Sequence, residues 1–414
     1  MHPPVATTDT APPAPSSARP RTQTRWTEFA LALGGFAIGT SEFSIMGLLP
    51  DVARELHVSV PQAGHLISAY ALGVMVGAPV LAVACARLPR HLALLGLMAA
   101  LALGNIASAL APSYESLMVL RFLSGFPHGT FFGMAALVVA DLAGPAARAR
   151  AVGRLMLGLT IACVVGSPLA TGIGQYASWR TAYLFIGGIA ASAWLLTLLN
   201  IPRAAAVAGA SPLRELGALR RVQVWLTLGV GSVGFGGLFA VYTYITPTMT
   251  ELAGLRVGLV PFVLAGVGLG MVVGNLVGAS FADRSLPKTI VAALLWNVLT
   301  LVSFWLTARN PWAASLSAFA LGMGFALVPG LQTRLMDVAA DAQTLAASLN
   351  HSAFNLANAL GAWFGGLVIS AGFGWNATGV VGAAMAIGGL TFFAVSMGLE
   401  RRSAAVAQRN AFTM

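Results

Sequence analysis

Residues 26–50 read WTEFALALGGFAIGTSEFSIMGLLP: an apolar run from Trp26 to Leu49, closed by Pro50, with one carboxylate, Glu42, deep inside it. A helix needs roughly 20 mostly apolar residues to cross the hydrocarbon of a bilayer. The run meets that length, and the rest of the chain repeats the pattern. Of its 414 residues 57% are hydrophobic and 9% charged, and the mean hydropathy is +0.81. A soluble domain carries about 25% charge, so this composition cannot clothe a water-soluble surface of such size. It describes a polytopic membrane protein, and the 47 glycines suit close helix approach in lipid.

Runs of spanning length occur near 26–49, 62–86, 91–111, 115–140, 151–176, 180–200, 223–248, 258–281, 287–308, 311–337, 343–371 and 375–399, twelve in all. A membrane β-barrel would instead show strictly alternating segments of about ten residues. Twelve spans put both chain ends on one side. With the amino terminus inside, eighteen of the 23 basic residues fall on inner segments and five on the outer ends (Arg54, Arg121, Arg180, Arg256 and Arg309). That bias predicts cytoplasmic termini. Residues 1–25, rich in Pro, Ala, Thr and Ser, lack the short apolar core and cleavage site of a signal peptide and read as a disordered cytoplasmic tail.

The longest internal polar segment, 201–222, divides the chain into bundles at 26–200 and 223–399, followed by a tail at 400–414. The halves echo one another. Pro50 and Pro247, Gly77 and Gly274, Arg87 and Arg284, and Gly125 and Gly322 are each 197 positions apart, at matching places in their spans. The fold expected is all-α: twelve transmembrane helices in two pseudo-symmetric six-helix bundles, a transporter layout.

Several functions are excluded. The net charge of +10 is scattered over short segments, with no basic patch for nucleic acid. Cys85 and Cys163 are far apart and the six histidines have no ligand spacing, so no disulfide framework or metal site is expected. No cluster of nucleophile, acid and base marks an enzyme. No GxxxxGK[ST] loop is present to bind ATP. No cofactor is expected, and a proton gradient remains as driving force. The partners expected are lipid, a small-molecule substrate and protons; oligomeric state has no sequence signature here.

Four segments carry a family resemblance: GTSEFSIMGLLPDVA, GHLISAYALGVMVGAPVLA, RFLSGFPHGTFFG and AFNLANALGAWFGG. They resemble the drug:proton antiporter branch of the major facilitator superfamily, and within it bacterial efflux proteins of the arabinose-permease and chloramphenicol type. The resemblance runs from about residue 28 to 399 and implies export across the bacterial inner membrane. It also carries motifs. The loop after helix 2, ACARLPRH, keeps Arg87 and Arg90 but has Ala86 where an acid is usual, while the second-half copy FADRSLPK keeps Asp283, Arg284 and Lys288. The helix 5 antiporter motif appears as the variant GSPLATGIG, with Gly166, Pro168 and Gly172. In the family's fold Asp141 and Asp337 lie near Arg87 and Arg284, which predicts Arg87–Asp141 and Arg284–Asp337 pairs closing a cytoplasmic gate.

The same resemblance places helices 1 and 4 along a central cavity. Glu42 lies about 12 Å below the outer end of its helix and Arg121 about 9 Å below the start of its own, at 1.5 Å per residue. Charges at such depth face a partner or water. Burial favours the neutral form of a carboxyl group and a nearby cation favours the ionised one, a balance suited to proton coupling. Glu42 is therefore the expected proton carrier and Arg121 the group that sets its affinity, unless the two form a static ion pair. His128, seven residues after Arg121, shares its helix face and either joins the proton path or serves as a packing donor. Helix 11 carries the polar stripe His351, Asn355 and Asn358, which either glues helices or binds substrate. Tyr242 and Tyr244 near Pro247 suggest a gate or a substrate contact, and Gln332 is a weaker candidate of the same kind. So few ionisable groups suit a neutral or weakly polar substrate, a drug such as chloramphenicol or a sugar. The alternatives are an uncoupled sugar facilitator and a membrane sensor that binds without transporting.

Overall fold

The computed structural model describes residues 21–85, 87–144, 148–202, 220–282, 284–339 and 343–412. Most of the amino-terminal tail, most of the linker, Ala86 and the gate candidate Asp283 lie outside these residues. Among the described residues, twelve helices are long and apolar enough to span a membrane: α1 (Thr24–Glu55), α2 (Val60–Cys85), α3 (Arg90–Ala109), α4 (Tyr114–Ala143), α5 (Ala151–Tyr176), α6 (Trp179–Asn200), α7 (Val222–Thr243), α8 (Val257–Ala282), α9 (Leu286–Thr307), α10 (Pro311–Ala339), α11 (Leu349–Ser370) and α12 (Ala377–Ser403). The first helix already begins at Arg21, inside the tail expected to reach residue 25, and the last runs on to Phe412, past the expected end at 399.

Each half is a bundle built on the same contacts. In the first, α2 packs on α4 and α3 on α6; in the second, α8 packs on α10 and α9 on α12. The halves meet through α2 against α11 and, related by the pseudo-twofold axis, α5 against α8.

The repeat offset of 197 reappears in atomic detail. Ser113 caps the start of α4 by accepting from the Ser116 amide, and Asn310 caps α10 by accepting from the Trp312 and Ala313 amides. Both spans then break at matching places. In α4 the helix stops at Gly125 and restarts at Pro127. In α10 it stops at Gly322 and tightens to a 3-10 turn over Met323–Ala326. The breaks sit where backbones cross without side chains between them. A Cβ on Gly125 would collide with the Tyr70 carbonyl oxygen, and one on Gly322 with that of Val267. No residue but glycine fits so close a crossing, which places α2 directly against α4 and α8 against α10.

Even-numbered spanning puts both chain ends on one face, called here the N-terminal face. The opposite face is sealed between the halves. There the Thr246 hydroxyl donates to the Met46 carbonyl at 3.0 Å, and Gly172 of α5 meets Pro261 of α8. The Tyr244 hydroxyl donates to the Ala362 carbonyl at 2.7 Å, in the space left by Gly64 and Gly366. On the N-terminal face the ion pairs Arg90–Asp141, Arg154–Glu28 and Arg334–Glu400 each stay within one half.

Candidate functional site: a buried acid between the two bundles

Midway between the faces, α1, α2, α4 and α11 converge on Glu42. The carboxylate is almost fully buried, at 6% exposure. It points to the interface of the halves rather than to lipid. Asn358 of α11 donates from Nδ2 to Oε1 at 3.3 Å, and His128 Nδ1 of α4 lies 3.8 Å from Oε2. The same His128 nitrogen is 3.4 Å from the Tyr70 hydroxyl of α2. Which of these groups holds a proton decides which one donates. The His128 ring stands 6.4 Å from that of His351, and Phe132 stacks parallel on His351 at 5.9 Å and 3°. A carboxylate, two imidazoles, a phenol and an amide thus form one chain of polar groups joining the bundles, buried where a charge costs several kcal/mol unless satisfied.

Arg121 does not join Glu42 in an ion pair. Its guanidinium is fully buried and donates from Nη1 to the Ser41 carbonyl at 3.1 Å, one residue from Glu42. It lies under the Tyr70 ring at 4.4 Å and beside the Tyr183 ring at 5.6 Å, an arrangement held by cation–π attraction. Its Nε and Nη2 have no acceptor among the described residues. Ser41 is braced from behind by its hydroxyl, which donates to Asn105 Oδ1 of α3 at 2.8 Å. The static Glu42–Arg121 pair is therefore not what this conformation contains; the tyrosines take up the cation instead.

Other candidates lie further off. Asn355 donates to the His351 carbonyl of its own helix at 3.0 Å, leaving Oδ1 buried without a partner. Tyr242 packs at 6.1 Å beside Phe43, the residue after Glu42, and its hydroxyl is buried and unpartnered among the described residues. Tyr244 belongs to the seal of the opposite face. Gln332 accepts from Asn350 Nδ2 at 2.6 Å and ties α10 to α11. In α5 a π-helical turn over Ala162–Gly166 precedes Pro168. That widened turn sets Gly166 against Thr40 and Phe36 of α1, so the antiporter-like segment packs behind the Glu42 helix.

At the N-terminal face the expected pairings are revised. Asp141 pairs with Arg90, at 2.5 Å, and not with Arg87. Arg90 opens α3, which packs along α4, whereas Arg87 sits exposed in the preceding turn. Arg284 lies over the Phe281 ring at 5.6 Å, and Asp337 is exposed without an ion-pair partner among the described residues. One turn earlier on α10, Arg334 faces α12 and pairs with Glu400 at 2.5 Å. The Asp141 side chain is 59% exposed. Arg90→Ala should therefore change thermal stability by less than about 1 kcal/mol, read as a near-unchanged melting temperature in detergent.

Tyr70 is the site residue that sequence reasoning missed. It is the only tyrosine in α2, and the chain has six in all. A phenol in the middle of a spanning helix needs a polar partner, and that was the available signal.

Residues 31–284 match the Major Facilitator Superfamily. The chain belongs to that superfamily. It is 41% identical over 382 residues to the inner membrane transport protein YdhP of Escherichia coli K12, covering 92% of this chain and 98% of the relative. It is 33% identical to the chloramphenicol resistance protein of Streptomyces lividans, covering 80% and 86%. Its fold matches the structure of a bacterial homologue of the human lysosomal transporter Spinster, with a TM-score of 0.75, 16% identity, and coverage of 91% and 98%. This facilitator is thus a multi-pass inner membrane transporter and not an enzyme.

Proposed function

We propose that this facilitator exports a small neutral or weakly polar molecule in exchange for protons carried by Glu42, with the N-terminal face in the cytoplasm. The observation that carries the reading is the hydrogen bond from Asn358 to Glu42, because it joins a titratable group of one bundle to the other bundle. An amide N–H binds an ionised carboxylate about twice as strongly as a neutral acceptor. Proton binding at Glu42 thus weakens a bond between the halves, and proton loss strengthens it. A proton taken from outside and released inside changes how the bundles close. His128 extends the polar chain along which that proton moves. Arg90, Asp141, Arg334 and Glu400 brace the cytoplasmic ends of each bundle as they rock.

The chloramphenicol resistance protein supports a drug of that class as the cargo, and the resemblance to arabinose-efflux proteins keeps a sugar as the other choice. The aromatic surroundings of the site, Phe43 and Tyr242 on one side and Phe132 on the other, suit a planar ring better than a polyol. The test is flux in proteoliposomes over a panel of chloramphenicol, related aromatic drugs and L-arabinose, with and without an imposed pH gradient. At least one compound should accumulate several-fold only when the gradient is present. Equal flux in both conditions would identify an uncoupled facilitator, and saturable binding without flux would identify a sensor.

A further inference from the structure

Arg121 is in an unusual position for a membrane arginine. It is fully buried, two of its three nitrogens lack acceptors, and the carboxylate one residue from its Ser41 anchor is not paired with it. A desolvated guanidinium would ordinarily take that carboxylate in a bidentate pair. What occupies its face instead is the Tyr70 ring, at 4.4 Å. The Tyr70 backbone is itself held in place, because its carbonyl oxygen abuts Gly125 at the α2–α4 crossing, one turn beyond Arg121. The Tyr70 hydroxyl meanwhile reaches His128 at 3.4 Å, on the side facing Glu42. One side chain therefore touches both the cation and the imidazole beside the acid.

We propose that Tyr70 is a positioning residue: its ring holds the Arg121 guanidinium off Glu42, so that Glu42 can keep a proton in this conformation. The ring does this work and the hydroxyl does not. When α1 shifts against the α2–α4 pair, Glu42 moves past the ring to the free Nε and Nη2 of Arg121, and the proton is expelled. The second bundle has no such device. At the offset of 197 the counterparts of Glu42, Tyr70 and Arg121 are Phe239, Val267 and Ala318, all apolar, so the trio of acid, ring and cation belongs to the first half alone. The titratable groups that surround Glu42 are Tyr70 from α2, Arg121 and His128 from α4, Cys163 from α5 and Tyr242 from α7, with His351 of α11 beyond His128. Of these only Arg121 carries a permanent positive charge.

The inference rests on Glu42 as the exchanged acid, and its test does not use transport. Infrared spectra of the purified protein across pH 5 to 9 should contain a protonated-carboxyl band that is absent from Glu42→Gln; the pH at which it disappears reports the Glu42 proton directly. In Tyr70→Leu the midpoint should fall by about one pH unit or more, a tenfold change, because the released cation favours the ionised acid. Tyr70→Met keeps more of the side-chain volume and should behave alike if the leucine variant does not survive extraction. Tyr70→Phe, which retains the ring, should match the wild type. The proposal is overturned if the leucine and methionine midpoints coincide with the wild type, if Tyr70→Phe shifts as far as they do, or if no band depends on Glu42. A shifted midpoint in a protein whose flux ignores the pH gradient would uphold the positioning role and refute proton-coupled export.

Discussion

Glu42→Gln should abolish export driven by a pH gradient while leaving substrate exchange between equal compartments in place. The glutamine side chain is nearly isosteric, accepts the Asn358 hydrogen bond through its carbonyl oxygen, and stays next to His128, so the packing around it survives. It has no proton that titrates near neutral pH. Flux against a concentration gradient should fall by at least about tenfold, the scale of a coupling free energy of 1–3 kcal/mol, whereas counterflow should stay within about twofold of wild type. The measurement is paired uptake in proteoliposomes, with and without the gradient. The substitution separates the proton role from a structural one: a merely structural Glu42 would lose both activities together or neither.

Gly125→Ala carries the second large effect. Its Cβ would strike the Tyr70 carbonyl oxygen and crowd the Val74 amide nitrogen, atoms of a helix backbone that cannot rotate away. Ordinary overpacking costs 1–3 kcal/mol, and backbone collisions place this change at or above roughly 3 kcal/mol on that scale. The expected result is a melting temperature several degrees lower in detergent and reduced yield. Gly133→Ala on the same helix is the control, because nothing lies within 4 Å of a Cβ there. That change should be neutral or stabilising by up to about 1 kcal/mol, since alanine is the better helix former. Gly322→Ala should repeat the Gly125 result in the second bundle, where the collision is with the Val267 carbonyl oxygen. Equal tolerance at Gly125 and Gly133 would contradict the crossing geometry.

The architecture was open to reading because it follows from sums over many residues. Spanning runs of about 20 apolar residues are forced by bilayer thickness, and the 197-residue echo of Gly77, Gly125, Gly274 and Gly322 marked the backbone crossings that the structure shows. Glu42 stood out because a lone carboxylate in an apolar run has few explanations, and Asn358 because it belonged to a stripe of polar residues on one helix face. Details that depend on one side chain's direction were less accessible. Arg87 and Arg90 are three residues apart, and only the start of α3 decides which of them reaches Asp141. Similar depth for Glu42 and Arg121 suggested contact, but depth says nothing of rotation about the helix axis, and the Tyr70 ring takes the cation. Spacing along α11 grouped Asn355 with Asn358, yet Asn355 spends its donor on its own helix.

The central claim, that substrate and proton exchange at Glu42, is tested most directly by proton release on binding. Purified protein in weakly buffered detergent near neutral pH, mixed with whichever compound of the flux panel is transported, is followed with a pH-indicator dye. The wild type should release a fraction of a proton, up to about one, per substrate bound, as linkage between two exclusive ligands requires, and Glu42→Gln should bind the same compound and release none. Binding by the wild type without proton release, or equal release from both proteins, would contradict exchange at this carboxylate.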